Sequence, residues 1–542
     1  MTPSDAQDVL IPPMKWNAWG DPAAAKPLSD GIRQLLKAAL GIEGSDAAEA
    51  DPAQVPLRPS ALADADRRAL AAIVGAEFCR VDQPGRLLRA GGKSTLDLLR
   101  RNESGVQDAP DAVLLPGGPD GEDQITEILR YCSEHGIAVV PFGGGTSVVG
   151  GLDPLRGDFT AVVSLDLRRF DELISLDEVS GEAEFGAGVT GPDAERLLGE
   201  RGFSLGHFPQ SFQFATLGGF AATRSSGQDS AGYGRFDDMV RGLRMITPAG
   251  VLDPGRAPAS AAGPDLRQLL VGSEGVFGVI TRVRVRVHPA PATTRYEAWS
   301  FPDFATGAAA LRAITQTGTG ATVVRLSDEA ETGVNLASTE QIGEQQITGG
   351  CLAITLFEGT AEHTESRHAE TRAVLTAHGG TSLGEEPARA WEHGRFAAPY
   401  LRDSLLAAGA LCETLETATS WSNIAALKTA VTEALTTALT DSGTPALVLC
   451  HISHVYPTGA SLYFTVVAGQ RGNPIEQWRA AKTAASEAIM RNGGTITHHH
   501  AVGADHRPWM RDEVGELGVQ VLRAVKATLD PAGILNPGKL IP

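Results

Sequence analysis

Cysteines, long apolar runs and basic residues are all scarce in this sequence of 542 residues, and each scarcity excludes a class of protein. The five cysteines are scattered and never form a CxxC pair, so neither a disulfide framework nor a zinc ribbon is expected. Nowhere do 18 apolar residues follow one another, and the first ten residues, MTPSDAQDVL, lack the basic and apolar regions of an export signal. We therefore expect a cytoplasmic protein without a membrane-spanning helix.

The 46 basic side chains are outnumbered by 65 acidic ones, which gives a formal net charge of -19. Such a charge repels phosphate backbones, so we expect no nucleic-acid partner. A small anionic ligand remains compatible with this charge, because a local group of arginines can override the overall sign. The length predicts two domains of ordinary size, since single hydrophobic cores stop growing beyond about 250–300 residues.

Three zones follow one another along the chain. Residues 1–107 are rich in alanine and predict helices in SDGIRQLLKAALG and SALADADRRALAAIVG, each after a Ser cap, with nothing catalytic apparent. Residues 108–289 alternate short apolar strands, such as AVLLP and TAVVSLDL, with helices, one of which ends at Gly136. Residues 290–542 place strands such as ATVVRLSD, CLAITLFEG and SLYFTVVAG between alanine-rich helices, which predicts a sheet covered by helices on one side.

One glycine motif resembles a dinucleotide fingerprint without its usual context. Gly186, Gly188 and Gly191 in FGAGVTGPDAERLL satisfy GxGxxG between a strand and a helix. The following segment, GFSLGHFPQS, offers no second strand that ends in Asp or Glu to hold a ribose hydroxyl. We therefore interpret these glycines as a tight strand-to-helix turn.

A better candidate for binding phosphate is PFGGGTSVVGG, residues 141–151. Successive glycines allow the backbone to approach a diphosphate, and their N–H groups can surround the anion together with the hydroxyls of Thr146 and Ser147. A Cβ at Gly144 would then intrude between the backbone and the diphosphate. Taken alone, the segment is equally compatible with a flexible turn.

Two further segments downstream of this cradle make the zone recognisable, HFPQSFQFATLGGFAATRSSGQ and VGSEGVFGVITRVRVRV. Together with the cradle they resemble the FAD-binding domain of the vanillyl-alcohol oxidase and p-cresol methylhydroxylase superfamily. The resemblance implies a noncovalent FAD, whose pyrophosphate lies in the cradle and whose ribityl chain and isoalloxazine follow the loop from Pro209. The cofactor-binding positions that it implies are Pro141, Gly143, Gly144, Gly145, Thr146, Ser147, Pro209, Ser211, Thr216, Gly218, Gly219, Thr223, Ser226, Glu274, Gly278, Val279 and Ile280.

Motifs outside this domain make the resemblance more specific. PPMKWNAWGDP, VVRLSD, YLRDSLL, ASLYFTV and NGGTITHHHAVG are together similar to the alkylglycerone-phosphate synthase family, from about Met14 to the C-terminus. That family consists of FAD-dependent transferases of ether-lipid biosynthesis. Its members exchange the acyl chain of acyl-dihydroxyacetone phosphate for a fatty alcohol through an adduct at flavin N5. The resemblance implies this activity, without net redox change, for this chain.

The same resemblance implies which residues act on the substrate. Tyr463 matches the acid/base tyrosine, and a phenol can exchange a proton when its neighbours lower the cost of the phenolate. His498, His499 and His500 match the active-site histidines of the family. Because side chains alternate in an extended segment, we expect His498 and His500 to share a face and His499 to point away.

Two arginines match positions associated with the substrate, Arg325 in VVRLSD and Arg402 in YLRDS. The paired donors of arginine suit a phosphate group. Simpler interpretations remain: Arg325 in a surface salt bridge with Asp328, the tyrosine as an ordinary strand residue, and the three histidines as a polar loop or a metal site. We expect no metal, because no acidic third ligand stands near His451 and His454.

Two departures from the family keep a second function open. The interval 331–350, ETGVNLASTEQIGEQQITGG, is short and polar where animal-type members carry a long hydrophobic and basic insert, and the C-terminus, GKLIP, is not a peroxisomal signal. The alternative is a D-2-hydroxy-acid dehydrogenase or oxidase of the same superfamily, which transfers a hydride to flavin N5. A catalytically silent flavin-binding protein is disfavoured by the simultaneous presence of the tyrosine and the three histidines.

The predicted fold is α+β, a two-subdomain FAD-binding domain with a C-terminal α/β substrate (cap) domain. We expect an N-terminal helical segment at 1–107, the FAD-binding domain at 108–289 and the substrate domain at 290–542, whose C-terminal segment returns to the FAD site. The expected partner is a small anionic or lipid-phosphate substrate. Peripheral contact with the inner face of a membrane and a homodimer are further expectations.

Overall fold

The computed structural model describes residues 14–25, 27–42, 54–103, 105–338 and 350–542. The N-terminal segment contains four helices in this part of the chain. Ser29 caps the first of them by accepting a hydrogen bond from the backbone N–H of Ile32, whereas Ala63 precedes the second helix and makes no side-chain cap. The expected Ser cap is therefore correct for the first helix and wrong for the second. The four helices are α1 (Asp30–Leu40), α2 (Asp64–Val74), α3 (Gln83–Leu87) and α4 (Thr95–Asn102).

The first sheet is small and positions the cradle. Its strands are β1 (Cys79–Arg80), β2 (Ala112–Leu114), β3 (Ile137–Phe142) and β4 (Ala161–Asp166), in the order β1-β2-β4-β3. Helix α5 (Gly121–His135) buries Ile125, Ile128 and Leu129 and ends at Gly136 in the left-handed conformation, φ 63°. Glycine adopts this conformation readily because it lacks a Cβ, and the chain continues directly into β3. Strand β3 runs parallel to β4 and ends where the glycine run begins.

The second sheet is antiparallel and forms the other half of the FAD-binding domain. Its strands follow the order β5-β6-β10-β8-β9, and a separate short pair joins β7 to β11. The strands are β5 (Leu173–Asp177), β6 (Glu182–Gly186), β7 (Phe203–Ser204), β8 (Val240–Thr247), β9 (Gly250–Leu252), β10 (Val279–Arg286) and β11 (His288–Pro289). The helices of this region are α6 (Gly191–Gly199), α7 (Leu217–Thr223), α8 (Ser230–Tyr233), α9 (Phe236–Met239) and α10 (Leu266–Leu270).

The third sheet is the largest, with eight antiparallel strands among the described residues. Its order is β15-β12-β14-β13-β17-β19-β16, and β18 pairs with β19. The strands are β12 (Thr293–Phe301), β13 (Val323–Ser327), β14 (Cys351–Gly359), β15 (Thr381–Gly384), β16 (Ala410–Ser420), β17 (Ala446–Ile452), β18 (Val455–Tyr456) and β19 (Gly459–Gly469). The helices are α11 (Phe304–Thr317), α12 (Glu329–Ser338), α13 (Ala361–Ala377), α14 (Glu386–Gly394), α15 (Ala398–Ala407), α16 (Ile424–Asp441), α17 (Pro474–Arg491) and α18 (Met510–Leu529).

The two faces of the third sheet differ. Helices α11, α16 and α17 pack on one face and build the largest core around Trp299, Phe464 and Trp478. The opposite face looks toward the FAD-binding domain, and α1 and α15 cover part of it, where Leu36 and Leu405 pack against Val467. The prediction of helices on one side therefore holds for the main layer only, because the N-terminal helix returns to the other face.

The C-terminal segment crosses back to the first sheet. The backbone N–H of Val139 donates to the carbonyl of Ile534, and the N–H of Asn536 donates to the carbonyl of Val139. Asn536 also donates through Nδ2 to the carbonyls of Gly151 and Glu274, at 3.1 and 2.7 Å. The end of the chain thereby ties together the two halves of the FAD-binding domain. No helix among the described residues is long and apolar enough to span a membrane.

Candidate active site

A cavity of about 1070 Å³ lies between the FAD-binding domain and the open face of the third sheet. Its floor is the glycine run and the loop that starts at Pro209, and its roof consists of side chains of β16, β17 and β19. Tyr463, His499 and His500 project into it, as do Arg325 and Arg402. The structure therefore brings together residues from the glycine run and the histidine triplet, which are about 360 positions apart in the sequence.

The backbone of the cradle fits a diphosphate. Within the described chain, the N–H groups of residues 143–148 donate no hydrogen bond to another protein group, although these residues border the cavity. Unpaired backbone donors are costly in an interior, so such a row calls for an anionic partner. Gly145 has φ 73° and an added Cβ would lie 2.7 Å from the ring of Phe142, so this turn requires glycine. The donor set fits the pyrophosphate of FAD.

The reason for glycine at position 144 differs from the expected one. A Cβ added to Gly144 would lie 2.0 Å from the carbonyl oxygen of Phe214 and 2.7 Å from Cα of Ala215. The close neighbour is thus the backbone of the adjacent loop, and the expectation of a clash with diphosphate is wrong. Glycine is required here because two backbone segments touch.

The other expected cofactor residues border the same cavity, with one exception. The side chain of Val279 is fully buried with Ile246 and Leu535 in the core beneath the first sheet. Its neighbour Ile280 faces the cavity, as the alternation along β10 requires. Glu274 borders the cavity in a left-handed conformation, φ 51°. Its carboxylate accepts hydrogen bonds from the N–H groups of Val502 and Gly503, and burial raises its pKa to about 7.

The GxGxxG glycines serve packing. A Cβ at Gly186 would lie 2.3 Å from the carbonyl oxygen of Phe170, and one at Gly188 would lie 2.3 Å from that of Leu167. Gly191 begins α6 against the ring of Phe212. The space beside each of the three glycines is therefore filled by protein atoms, as a tight strand-to-helix turn requires.

The three histidines form a turn around one carboxylate, and the expected alternation of their side chains is wrong. The N–H groups of His498, His499 and His500 all donate to Glu416, at 2.6, 3.2 and 2.8 Å. A strand could not direct three successive N–H groups to one acceptor, because successive groups point in opposite directions. As a result, the rings of His499 and His500 border the cavity together, while His498 is buried behind them.

His498 is held by other aromatic side chains. Its Nε2 is 2.6 Å from the hydroxyl of Tyr456, and its Nδ1 is 2.9 Å from Nδ1 of His499. His454 stacks on it with ring centroids 5.0 Å apart and hydrogen-bonds Ser226 through Nδ1. The ligand atoms of His454, His498 and His499 lie within 4.8 Å of one another, so this cluster is the place where a metal could bind.

Tyr463 lies between two imidazoles at the centre of the roof. His451 stacks on one side at 4.8 Å between ring centroids, His499 is parallel at 6.0 Å, and His500 meets the ring edge-on at 5.5 Å. Burial raises the pKa of Tyr463 to about 12, and a hydrogen bond with Thr414 offsets only part of this. The phenol is therefore protonated at neutral pH, contrary to the expectation that its neighbours lower the cost of the phenolate.

The surrounding imidazoles are neutral near pH 7. Burial lowers the pKa of His500 to about 3, although the nearby charge of Glu416 opposes this. Burial likewise lowers the pKa of His499, and that of His498 falls well below the usual value. The site therefore combines a protonated phenol with neutral imidazoles, whose unprotonated ring nitrogens can accept hydrogen bonds.

Both arginines contact acidic partners at the cavity wall. Arg325 donates to Glu331 at 2.7 Å and lies 2.9 Å from Nδ1 of His451. Asp328 pairs with Lys428 instead, so a surface salt bridge between Arg325 and Asp328 does not form. Arg402 pairs with Asp403 at 2.8 Å and donates to the carbonyl of Lys93.

Several wall residues escaped the sequence-based predictions. Trp19 and α1, from the segment in which nothing catalytic was apparent, border the cavity. Thr414 of β16 borders the cavity and Glu416 of the same strand lies behind it, and the polar residues in CETLET are the sequence signal that marks both. His451 and His454 were noticed in the sequence only as insufficient metal ligands.

Comparisons with known proteins agree with this geometry. A family model for the FAD binding domain matches residues 110–253, and one for the C-terminal domain of FAD linked oxidases matches residues 290–540. The chain is 32% identical to the alkyldihydroxyacetonephosphate synthase of Trypanosoma brucei brucei, over 98% of this chain and 92% of that protein. A solved structure of an alkyldihydroxyacetonephosphate synthase matches with a TM-score of 0.82 at 28% identity, covering 97% of this chain and 99% of that one.

A more distant solved structure shares the fold. The structure of p-cresol methylhydroxylase has the same fold, with a TM-score of 0.67 at 16% identity over 90% of this chain and 98% of that one. FAD-linked oxidoreductases are more distant relatives by sequence. The predicted α+β flavoprotein fold and the FAD cofactor are confirmed. The chain belongs to the alkyldihydroxyacetonephosphate synthase family of FAD-dependent enzymes.

Proposed function

We propose that the protein replaces the acyl chain of acyl-dihydroxyacetone phosphate with a fatty alcohol, releasing a fatty acid and forming an ether bond. The observation that supports this best is the position of Tyr463 beside neutral imidazoles, at the head of an apolar extension of the cavity. FAD, when bound, supplies the reactive ring against which the substrate carbon is held. Reactants and products are at the same oxidation level, so no external electron acceptor is needed.

The apolar extension suits an alkyl chain. Along β19 the cavity face passes from Tyr463 to Thr465 and Val467, and along β17 it passes from His451 to Leu449 and Leu447. At about 3.3 Å per residue, four residues of β19 correspond to roughly 13 Å of path. This wall becomes more apolar with distance from the tyrosine, as a substrate with a polar head and an alkyl tail requires.

The polar head is proposed to lie between the cradle side of the cavity and the two arginines. Arg325 and Arg402 offer guanidinium donors that suit a phosphate group, and each is oriented by its acidic partner. In this arrangement Tyr463 exchanges a proton with the substrate. His499 and His500, both neutral, orient the substrate and the phenol through their ring nitrogens.

The substitution Tyr463→Phe tests this function. It removes one oxygen and little volume, so FAD content and thermal stability should remain near those of the wild type. Turnover of acyl-dihydroxyacetone phosphate with a labelled fatty alcohol should fall by roughly 100-fold, the usual scale for a lost general acid or base. His500→Ala should act similarly, and a chelator should leave the rate unchanged. Oxygen consumption should be absent throughout.

Tyr296→Phe is the matched control. Its hydroxyl donates to Glu392 outside the cavity, and burial also raises its pKa to about 12, so the same atom is lost from a tyrosine of the same sheet that does not border the cavity. Its ether-forming rate should equal that of the wild type. Full activity of Tyr463→Phe would remove this residue from the mechanism. Activity confined to a panel of D-2-hydroxy acids with an artificial acceptor would instead assign the alternative dehydrogenase function, and inactivation by a chelator would assign the histidine cluster to a metal.

The remaining expectations belong to this proposal. We propose noncovalent FAD, which acid precipitation should release into the supernatant. Cytoplasmic location, contact with the inner face of a membrane and a homodimer stay predictions. The interval 331–350 on which the membrane expectation depends lies partly outside the described residues, at 339–349.

A further inference from the structure

Glu416 is a buried carboxylate that binds the histidine turn from the roof side. Besides the three backbone N–H groups, it accepts a hydrogen bond from the hydroxyl of Thr497 at 2.6 Å. Its side chain has no exposed area, and four donors from one short segment satisfy it. Thr417 and Ala418 of β16 bind Thr495 just before the turn, but Glu416 is the only acceptor for the three histidine N–H groups among the described hydrogen bonds. The backbone N–H groups of the three histidines therefore share one carboxylate as their acceptor.

The position of Glu416 also connects the turn to the tyrosine. In the pairing of β16 with β19, Glu416 is the direct partner of Tyr463. Directly opposed residues in an antiparallel pair point to the same face, with Cβ atoms about 4.5–5.5 Å apart. The carboxylate that holds the histidines and the phenol beside them are therefore fixed to one another by the sheet itself.

We propose that Glu416 is a positioning residue, which fixes the rings of His499 and His500 relative to the hydroxyl of Tyr463 through the backbone of the turn. The inference rests on the proposed function, because it assigns these three side chains to one proton-transfer unit. Glu416 does not touch the cavity itself: the residues of β16 that border it are Cys412 and Thr414. Its influence on turnover passes through the histidines.

The electrostatic surroundings support a role of the charge as well as of the shape. Burial alone would raise the pKa of Glu416, but the nearby imidazoles of His499, His500 and His498 and the hydrogen bond from Thr497 lower it well below the usual value. The group is therefore ionised near neutral pH. It acts as a constant acceptor for the turn and raises the proton affinity of the two cavity imidazoles.

The test compares Glu416→Gln with Glu297→Gln in the full-length enzyme containing FAD. The amide keeps the size of the side chain but places an N–H₂ group among backbone donors, so the turn should shift. Glu297 is the matched control, because it is a buried carboxylate of the same sheet whose partners, His368, Arg372 and Ser382, lie away from the cavity. Both variants lose a buried negative charge, and both should lose stability.

Three measurements separate positioning from general stability. In Glu416→Gln, kcat should fall on the order of 100-fold, the effect of a misplacement of about 1 Å, with little change in KM, and the pH profile of kcat should move. In protein that carries isotope-labelled histidine, the imidazole NMR signals of His498, His499 and His500 should differ between Glu416→Gln and the wild type. Glu416→Asp should recover part of the rate. Glu297→Gln should show none of these changes.

The inference is overturned if Glu416→Gln keeps the kcat and pH profile of the wild type, or if its losses match those of Glu297→Gln. The NMR signals distinguish this failure from that of the proposed function, because they do not depend on which substrate is turned over. If the wild type acts only on hydroxy acids, the proposed function is wrong, and kcat is then compared in that assay. Unchanged imidazole signals in Glu416→Gln would refute positioning under either activity.

Discussion

At the level of single residues, Gly144 shows that the addition of one Cβ atom would disturb the packing of the cradle. It stands at the contact between the cradle and the loop that carries Phe214, and the space for a Cβ is already occupied by the carbonyl oxygen of that residue. The cradle and the loop are both cavity walls. A substitution at this position is therefore expected to act on the protein backbone first and on the cofactor second.

Gly144→Val should lose FAD and stability together. The valine forces the cradle away from the loop, so the row of N–H donors no longer matches a diphosphate. We expect a fall in bound flavin, measured by absorbance, in parallel with a lower melting temperature. Gly199→Ala is the control, since nothing lies within 4 Å of a Cβ there, and it should retain flavin fully. Full flavin content in Gly144→Val would show that the cradle lies elsewhere.

Asp166 carries a second prediction at this scale. It lies behind the cradle between Arg89 at 2.9 Å and Arg168 at 2.5 Å, and the guanidinium of Arg168 lies 5.4 Å from the ring of Phe142. Burial opposes ionisation, but the two arginines outweigh it and lower the pKa of Asp166 to about 2. Asp166→Asn leaves two buried guanidinium groups unpaired and should lower the free energy of unfolding by about 3–5 kcal/mol at pH 7.

The pH dependence of that loss follows from the direction of the shift. A carboxyl group whose folded pKa lies below its unfolded value, about 3.9, stabilises the protein above that pH, and the contribution is lost as the pH falls toward 2. Urea unfolding of the wild type and of Asp166→Asn should therefore differ most above pH 4 and converge below it. The exposed Asp441→Asn should show no such difference, and a gap that persists to pH 2 would contradict the ion pair.

At the level of elements, β16, β17 and β19 decide the polarity of the cavity. Side chains alternate along these strands, so every second residue lies on the roof of the cavity. A few residues of each strand therefore change the wall from polar at His451 and Tyr463 to apolar at Val467. The apolar end of this gradient is closed by α1 and α15. The strands thus determine where the polar and the apolar parts of the cavity wall lie.

Leu449→Trp tests the apolar extension. The larger ring fills the path beyond Tyr463, so kcat/KM for a long-chain alcohol should fall by roughly 10- to 100-fold relative to a short-chain alcohol. Leu449→Met conserves the volume and should keep the selectivity of the wild type. Flavin content reports whether the fold is intact. An equal loss for both chain lengths would place the alkyl tail in another part of the cavity.

At the level of the whole molecule, the FAD-binding domain is closed by the end of the chain. Asn536 joins Val139 of the first sheet, Gly151 of the cradle and Glu274 of the segment that reaches the histidine turn. Glu274 in turn accepts hydrogen bonds from Val502 and Gly503. The cavity floor and the histidine turn are therefore held by one network that spans both domains.

Asn536→Ala should loosen this network. Two buried carbonyl groups lose their donor, which costs about 1–3 kcal/mol each when no water replaces it. We expect a lower melting temperature and a faster release of FAD, monitored by flavin fluorescence. The exposed Asn102→Ala is the control and should leave release unchanged. If Asn536→Ala has a lower melting temperature but releases FAD as slowly as the wild type, the C-terminal segment does not contribute to FAD binding.

Much of the fold could be predicted from the sequence because its signals are local. The strands β2, β3, β4, β13, β14 and β19 and the end of α5 at Gly136 follow from apolar runs and turn glycines. The cradle, the FAD cofactor and the family follow from motifs of contiguous residues. These features depend on chain neighbours, so their physical causes are present in a short stretch of sequence.

The sequence by itself determined the cofactor, the family and the identity of Tyr463 and the three histidines as candidates. Only the tertiary structure decided which histidines face the cavity, which acid pairs with Arg325, and that α1 forms part of the wall. The physical reason is that these features depend on partners far away in the chain: Glu416 lies more than 80 residues from the histidines, and α1 lies more than 400 residues from Val467. Such contacts leave no periodic pattern in the sequence, because they are made by single side chains that folding brings together.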